Sequence, residues 1–278
     1  MFCAHVETEV RAVARERGLD PAVLLAIVEV ESGGQALSEV GGRMMPLILF
    51  EYHVFHRRLR PALRSGAVQA GLASPRWGQI PYPRTQRERY ALLARAKLID
   101  REAAFAACSW GVGQVLGENA RWLGYESAEA LADEAMSGVA GQVRLMLRFI
   151  ERRGLETAMA TRDWVRFAEG YNGPQQARHD YAGRMAASHA RWLSRPAAEP
   201  PLRPILSRGA RGPAVEALQR ALIAAGHPLD ADGAFGPATQ AALRRFQAEQ
   251  GLARDGIAGP LTWARLDVID PIEARRSA

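Results

Sequence analysis

The chain has 278 residues, a formal net charge of +6 and a hydrophobic fraction of 48%. That fraction supports a folded core and excludes an unstructured chain, and the length points to one large domain or two. Two cysteines, Cys3 and Cys108, are too few for a disulfide framework and fit synthesis in a reducing compartment.

Neither cysteine has His or Cys neighbours at metal spacing, and the histidines form no HExxH pattern. No metal and no organic cofactor are expected. The first residues carry no basic start followed by an apolar run, so no signal peptide is expected. No stretch of about 18 apolar residues occurs, which leaves no transmembrane helix. Lys97 is the single lysine, so the excess charge is arginine, and it is scattered. Such a charge suits an anionic polymer. Without a helix-turn-helix, zinc-finger or RNP signature it gives no case for nucleic acid.

A first helix is predicted from Val6 to Arg17. Asp20-Pro21 then starts a second, with a capping side chain followed by a residue whose missing N–H costs nothing in the first turn. Leu24, Ile27, Val28 and Glu31 share one face at i, i+3, i+4 and i+7, and Glu29 is expected to point to solvent. Gly33-Gly34 ends the helix. Glu31 is therefore a carboxylate on a core-facing stripe at the negative end of a helix dipole. Burial and the dipole both raise its pKa, as a general acid requires. The alternative is a helix-edge Glu that reaches water or an arginine.

Gly41-Gly42 reads as a turn. Met44 to Phe50 is an apolar run, either a short buried strand or the lead-in to a helix through Phe55. Glu51 follows it as a second candidate carboxylate, or else as a strand-end residue paired with Arg57, Arg58 or Arg60. Ser65 to Pro83 reads as a long surface loop, near which Trp77, Tyr82 and Tyr90 stand as sugar-stacking or core aromatics. A helix over Gln86 to Ala96 precedes one capped by Asp100, and that one is expected to end in Ser109-Trp110-Gly111-Val112-Gly113-Gln114. Two glycines around one amide allow backbone to approach a ligand, and Gln114 suits a sugar acetamido group; the alternative is an ordinary helix corner. Helices follow over Ala128–Met136 and Val139–Arg152. Trp164, Phe167, Ala168 and Tyr171 repeat the i, i+3, i+4, i+7 stripe, and Asn172-Gly173-Pro174 stops that helix. Tyr171 and Asn172 are candidates to face the same cleft as Glu31, against the alternative of a buried, satisfied tyrosine. A last helix reaches Leu193.

Three motifs thus stand in order: Glu31-Ser32-Gly33-Gly34, Gly111-Val112-Gly113-Gln114-Val115 and Tyr171-Asn172-Gly173. Together they resemble the lysozyme-like lytic transglycosylases and goose-type lysozymes. They resemble still more the muramidase domain of phage endolysins, to which Ile48-Leu49-Phe50-Glu51, His53-Val54-Phe55, Cys108-Ser109-Trp110-Gly111 and Phe167-Ala168-Glu169-Gly170-Tyr171-Asn172-Gly173-Pro174 are also similar. The resemblance spans most of residues 5–193. Cys108 and Val112-Gly113 are its small departures.

Residues 194–204 form a proline-dense linker. Beyond it Asp232-Gly233-Ala234-Phe235-Gly236-Pro237 and Asp255-Gly256-Ile257-Ala258-Gly259-Pro260 repeat at an offset of 255 − 232 = 23. Gly212-Pro213 gives a third helix start. Apolar stripes Val215, Leu218 and Leu222, then Leu243 and Phe246, then Trp263 and Leu266, describe a three-helix unit. With Arg208-Gly209, Leu218-Gln219 and Thr262-Trp263 it resembles a peptidoglycan-binding domain over 205–268, whose groove would take stem peptide or glycan.

The resemblance implies a mainly α protein: a lysozyme-like helical catalytic domain over 1–193 with at most a small β element, the 194–204 linker, a three-helix peptidoglycan-binding domain over 205–268, and a tail over 269–278. It further implies an endolysin that cuts the β-1,4 bond between N-acetylmuramic acid and N-acetylglucosamine. Glu31 would be the acid, Ser32, Gly111, Gln114, Tyr171 and Asn172 would hold substrate, and Glu51 would be the second carboxylate, ahead of Glu39 and Asp100. A hydrolase wants that second group about 5–5.5 Å away for retention or about 6.5–9.5 Å for inversion. A transglycosylase would use the muramic 6-hydroxyl instead. The expected partners are peptidoglycan glycan strands and the anionic envelope, met by a monomer that waits in the host cytoplasm until it is released to the wall. The rival readings are a non-catalytic wall-binding protein and a basic nucleic-acid-binding protein, the latter leaving the repeat unexplained.

Overall fold

The computed structural model describes residue 2 and residues 4–41, 43–173, 179–195, 204–259, 261–263 and 265–266. Gly42, Pro174, Pro260, most of the 194–204 linker and the 269–278 tail lie outside them. The chain divides into two compact units, with the division at Pro196–Ala197.

The first unit opens with α1 (Ala4–Glu16) and α2 (Pro21–Ser32), followed by the hairpin β1 (Leu37–Val40) and β2 (Arg43–Pro46). Then come β3 (Ile48–Phe50), α3 (Tyr52–Arg58), α4 (Pro61–Gln69), α5 (Gln86–Lys97), α6 (Arg101–Ala106), β4 (Cys108–Trp110) and β5 (Val115–Leu116). A 3-10 turn over Gly117–Asn119 leads to α7 (Ala128–Met136), α8 (Val139–Arg152), α9 (Glu156–Thr161), α10 (Trp164–Asn172) and α11 (Tyr181–Ser194). The chain is mainly helical, as expected, with two small antiparallel sheets among the described residues: β1 with β2, and β3-β4-β5 with β4 central.

Helix α2 is buried almost all round rather than along one stripe, with Leu24, Leu25, Ile27 and Val28 fully enclosed. Each such side chain contributes about 1.5–3 kcal/mol on leaving water. Helix α11 packs along it. A second cluster gathers Phe50, Phe55, Phe105, Trp110 and Leu131 under the three-stranded sheet. Burial raises the pKa of the Cys108 thiol, which is fully enclosed there as an inert packing group.

Three local expectations change. Residues 65–69 of the predicted loop belong to α4, started by Pro61 at the first helical position, and irregular chain follows to Thr85. The Asp100-capped helix stops at Ala106, and Cys108–Trp110 is a strand: Cys108 and Ser109 face Phe50 and Leu49 in register. The Gly111–Gln114 segment is consequently a strand-to-strand turn, not a helix corner. The Met44–Phe50 run is strand on both sides of Leu47.

The second unit holds α12 (Pro213–Ala224), α13 (Pro237–Glu249) and helical residues 261–263 and 265–266 around Leu218, Leu222, Leu243, Phe246, Trp263 and Leu266. Its repeat is physical. Gln219 Nε2 donates to Asp232 Oδ1, Ala234 O and Thr239 Oγ1, while Gln219 Oε1 accepts from Gly233 N. Gln247 makes the same four bonds to Asp255, Ile257, Thr262 and Gly256. Each glutamine is 1% exposed and ties an Asp-Gly loop to the helix that follows it.

Candidate active site

Asp20 Oδ1 accepts from Ala22 N at 2.8 Å and Pro21 takes the first turn of α2. At the other end Gly33 adopts φ 62°, a left-handed conformation that glycine enters without a Cβ clash, and the Gly33 and Gly34 amides both donate to Glu29 O. The helix therefore stops two residues past Val30, its last buried position, and leaves Glu31 half-buried at its rim. Ser32 turns back on its own helix: its hydroxyl donates to Val28 O at 2.7 Å and accepts from Gly34 N at 3.2 Å.

Asp163 caps α10 by accepting from Arg166 N, and Phe167 and Ala168 bury the inner face of that helix. Its last residue, Asn172, donates from Nδ2 to Glu31 Oε1 at 2.9 Å. The pairing predicted from two helix ends is thus a direct hydrogen bond. Burial pushes the Glu31 carboxyl up to about 7, against smaller downward pulls from the Asn172 bond and the Arg184 charge. A carboxyl poised there is still largely protonated in mildly acidic water and can deliver its proton.

Tyr171, one residue earlier, donates its hydroxyl to Gly113 O at 2.8 Å, and its ring stacks on Phe167 and meets Phe149 edge-on. Burial raises its pKa well above the usual value, and the nearby Glu31 charge adds to this, so it stays a neutral donor. The Gly111–Gln114 turn is held from behind. Gly111 N donates to Leu47 O at 2.9 Å and Val112 N to Gln142 Oε1 at 3.1 Å. A Cβ on Gly111 would stand 2.7 Å from Gln142 Cγ, and one on Gly113 2.8 Å from Tyr171 Oη and 2.9 Å from Met146 Cβ. The two glycines make room for the protein's own side chains. Gln114 is the exposed member of the turn, at φ 46°, with its Nε2 donating to Gly111 O at 2.8 Å. The same Nε2 also lies 3.3 Å from Leu47 O, so the amide hydrogens are turned onto the backbone. Gly113→Ala is expected to cost about 1–3 kcal/mol by overpacking and to displace the Tyr171 hydroxyl. Denaturant midpoints and turnover measured together check this, because both should fall.

The remaining carboxylates have other partners. Glu51 Oε2 accepts from the Tyr82 hydroxyl at 2.6 Å and lies 3.4 Å from His53 Nδ1, and no arginine ion pair to it is found among the described residues. No hydrogen bond joins it to Glu31 among those residues. Its amide donates to Ala107 O at the far end of the β3–β4 pair, whereas the Gly111 turn bonds Leu47 at the near end. The three residues of β3 separate Glu51 from Leu47, a span of about 13 Å. Asp100 is occupied as the cap of α6, accepting from Ala103 N, and Glu39 is exposed in β1. Glu29, expected in solvent, instead packs against α11 and accepts from Ser188, from Trp192 Nε1 at 2.9 Å and from Arg191 at 3.2 Å. The i+5 position from Leu24 meets a neighbouring helix because α2 is central.

Sequence reasoning missed Gln142, which buttresses the turn, and Tyr82 and His53 as the partners of Glu51. Gln142 had a signal: it is a polar residue on the buried stripe Val139, Val143, Met146 and Ile150 of α8. No group of three or more His, Cys, Asp or Glu that could hold a metal ion is found among the described residues. No helix is long and apolar enough to cross a membrane among those residues.

The alkaline limb of kcat/KM is expected near pH 7, where Glu31 loses its proton. Asn172 stabilises the carboxylate, so Asn172→Ala should move that limb to higher pH while lowering the maximum. An unmoved limb would separate Glu31 from the titration.

The comparisons with known proteins agree with this geometry. The N-acetylmuramidase family model matches residues 20–193, and the peptidoglycan binding domain model matches residues 211–266. The crystal structure of the Burkholderia AP3 phage endolysin superposes with a TM-score of 0.58 at 28% identity, covering 68% of this chain and 71% of that one. An uncharacterized protein in the bpoA1 3′ region of Kitasatospora aureofaciens is 54% identical over 67 residues, 23% of this chain and 56% of the relative. The zinc D-Ala-D-Ala carboxypeptidase of Streptomyces albus G is 52% identical over 66 residues, 22% of this chain and 25% of the relative. The chain thus spans little more than half, or a quarter, of these curated relatives. With a match from the start of α2 to the end of α11, enclosing Glu31, the turn and Asn172, the chain belongs to the N-acetylmuramidase family.

Proposed function

We propose that the chain is a lysozyme-type glycosidase that cleaves the β-1,4 bond between N-acetylmuramic acid and N-acetylglucosamine in peptidoglycan. One observation carries the reading: a half-buried Glu31 at the end of α2, raised to about 7 and held by Asn172. Glu31 protonates the leaving glycosidic oxygen and Asn172 positions its carboxyl. Gln114 offers its side-chain carbonyl to the N–H of an acetamido sugar, and Tyr171 and Gly111 keep the turn that carries it in place. Ser32, its hydroxyl committed to Val28, shapes the rim.

The placement of Glu51 favours a second reading of the later step. The Glu51 carboxylate is engaged by the Tyr82 hydroxyl and lies 3.4 Å from His53 Nδ1, which leaves it less free to act as a nucleophile. The acceptor is then the muramic 6-hydroxyl, as in a lytic transglycosylase, or the substrate's own acetamido group precedes water. Mass spectrometry of fragments released from purified peptidoglycan decides between them. Reducing muramic ends identify a hydrolase, and anhydromuramic ends a transglycosylase. No release would sink both.

The second unit supports tethering to the wall, which raises the local concentration of the first. The biological setting is that of an endolysin acting as a monomer, held in the host cytoplasm until its release and drawn to an anionic envelope by its basic charge.

A further inference from the structure

A cavity of about 320 Å³ opens beside the Glu31 rim, lined by Glu29, Val30, Gly33, Arg184, Ala187 and Arg191. Val30 and Gly33 stand one residue before and two residues after Glu31, and Arg184 reaches the Val30 carbonyl, so the cavity lies at the same end of α2 as Glu31. Its charges are unequally committed. Glu29 and Arg191 satisfy one another across it, helped by Ser188 and Trp192. Arg184 is exposed: it reaches Val30 O at 3.5 Å and lies over the Tyr181 ring, with no carboxylate paired to it among the described residues. Its field nonetheless reaches Glu31. The cavity therefore presents one guanidinium with no carboxylate ion pair among the described residues, at the end of α2 that carries the proposed acid.

We infer that this cavity is a subsite for a carboxylate on the lactyl arm of the muramic residue, with Arg184 as the group that binds it. The inference rests on the muramidase reading above. N-acetylglucosamine carries no charge, so a cation beside the scissile bond finds an anion on the muramic side alone. That anion is a carboxylate of the attached stem peptide, or the lactyl carboxylate itself where the peptide is missing. A guanidinium presents a planar fork that matches either.

The test compares three soluble glycans at the pH optimum of each enzyme form: peptide-bearing strands, amidase-stripped strands with a free lactyl carboxylate, and stripped strands whose lactyl group is converted to a methylamide. Comparison at each optimum removes the effect of Arg184 on Glu31. Wild type should prefer a charged glycan over the neutral one by about tenfold in kcat/KM, the scale of one charge-assisted hydrogen bond. Arg184→Ala should erase that ratio and Arg184→Lys restore part of it. Preference for the peptide-bearing strands names the stem as the ligand, and preference for the stripped ones names the lactyl group. Equal loss on all three glycans in Arg184→Ala, or no preference in wild type, overturns the subsite while leaving the muramidase reading intact. Failure of wild type to cleave any of the three overturns the muramidase reading and the subsite with it.

Discussion

Glu31→Gln is expected to lower glycan cleavage by roughly 100- to 10,000-fold, the contribution of a positioned general acid, and to make the folded protein more stable above neutral pH. The two effects have one cause. Burial holds the Glu31 pKa near 7 against an ordinary value of 4.5, so the folded chain retains a proton that the unfolded chain releases between those values. With a raised acid the sign is unfavourable at high pH: stability is undiminished below about 4.5, falls as pH rises through the window, and is lower by about 3 kcal/mol once Glu31 is charged in both states. Glutamine cannot ionise and keeps an oxygen for the Asn172 amide. The variant should match wild type at pH 4 and exceed it by up to about 3 kcal/mol at pH 8. Denaturant melts at the two pH values, with turnover on purified peptidoglycan, check both halves. A variant that still cleaves ends the assignment of Glu31 as acid. One that cleaves nothing and is less stable at pH 8 would mean the burial of Glu31 is not what shifts it.

The place of Glu31 was legible because its evidence is local. A capping Asp-Pro, an apolar period and a Gly-Gly stop place Glu31 at a helix end with no tertiary information, and the same logic places Asn172 at the end of α10. That the two meet required the fold, but each helix stripe pointed inward and the polar tips had one cleft to share. Glu29 was misplaced because the periodicity of α2 cannot distinguish a helix with one buried face from one enclosed all round. The small and apolar residues around it in α2 were consistent with both, and only the arrival of Ser188 and Trp192 from α11 settles the matter. The Cys108–Trp110 strand was hidden for a related reason: a three-residue strand has no period, and Ala103 to Ala107 reads as helix straight into it. Glu51 was found as a residue and not as a role. Its partners, Tyr82 and His53, come from an irregular segment and from the first turn of α3, and nothing in their spacing announces a bond to one carboxylate.

The second unit should fail at Gln219 more severely than at any of its surface positions. Gln219→Leu conserves bulk but leaves Thr239, Ala234, Asp232 and Gly233 without the four bonds that the amide makes. Each enclosed polar group left unpaired costs about 1–3 kcal/mol. Asp232 is exposed and regains water, so a total of about 2–4 kcal/mol is expected. A domain of this size has roughly 3–9 kcal/mol in all. The loss corresponds to a transition about 10–30 °C lower and brings the unit near its unfolding threshold at working temperature. In the full chain this predicts a lost pull-down on insoluble peptidoglycan at 37 °C, with cleavage of soluble glycan by the first unit retained. Because Gln247 makes the corresponding four bonds to the second Asp-Gly loop, Gln247→Leu should reproduce the deficit to within about 1 kcal/mol. A neutral Gln247→Leu beside a crippling Gln219→Leu would show that the repeat is one of shape alone. Equal losses would show that the two amides carry the same share of the unit's stability, so that the duplication visible at an offset of 23 residues is also a duplication of its energetics.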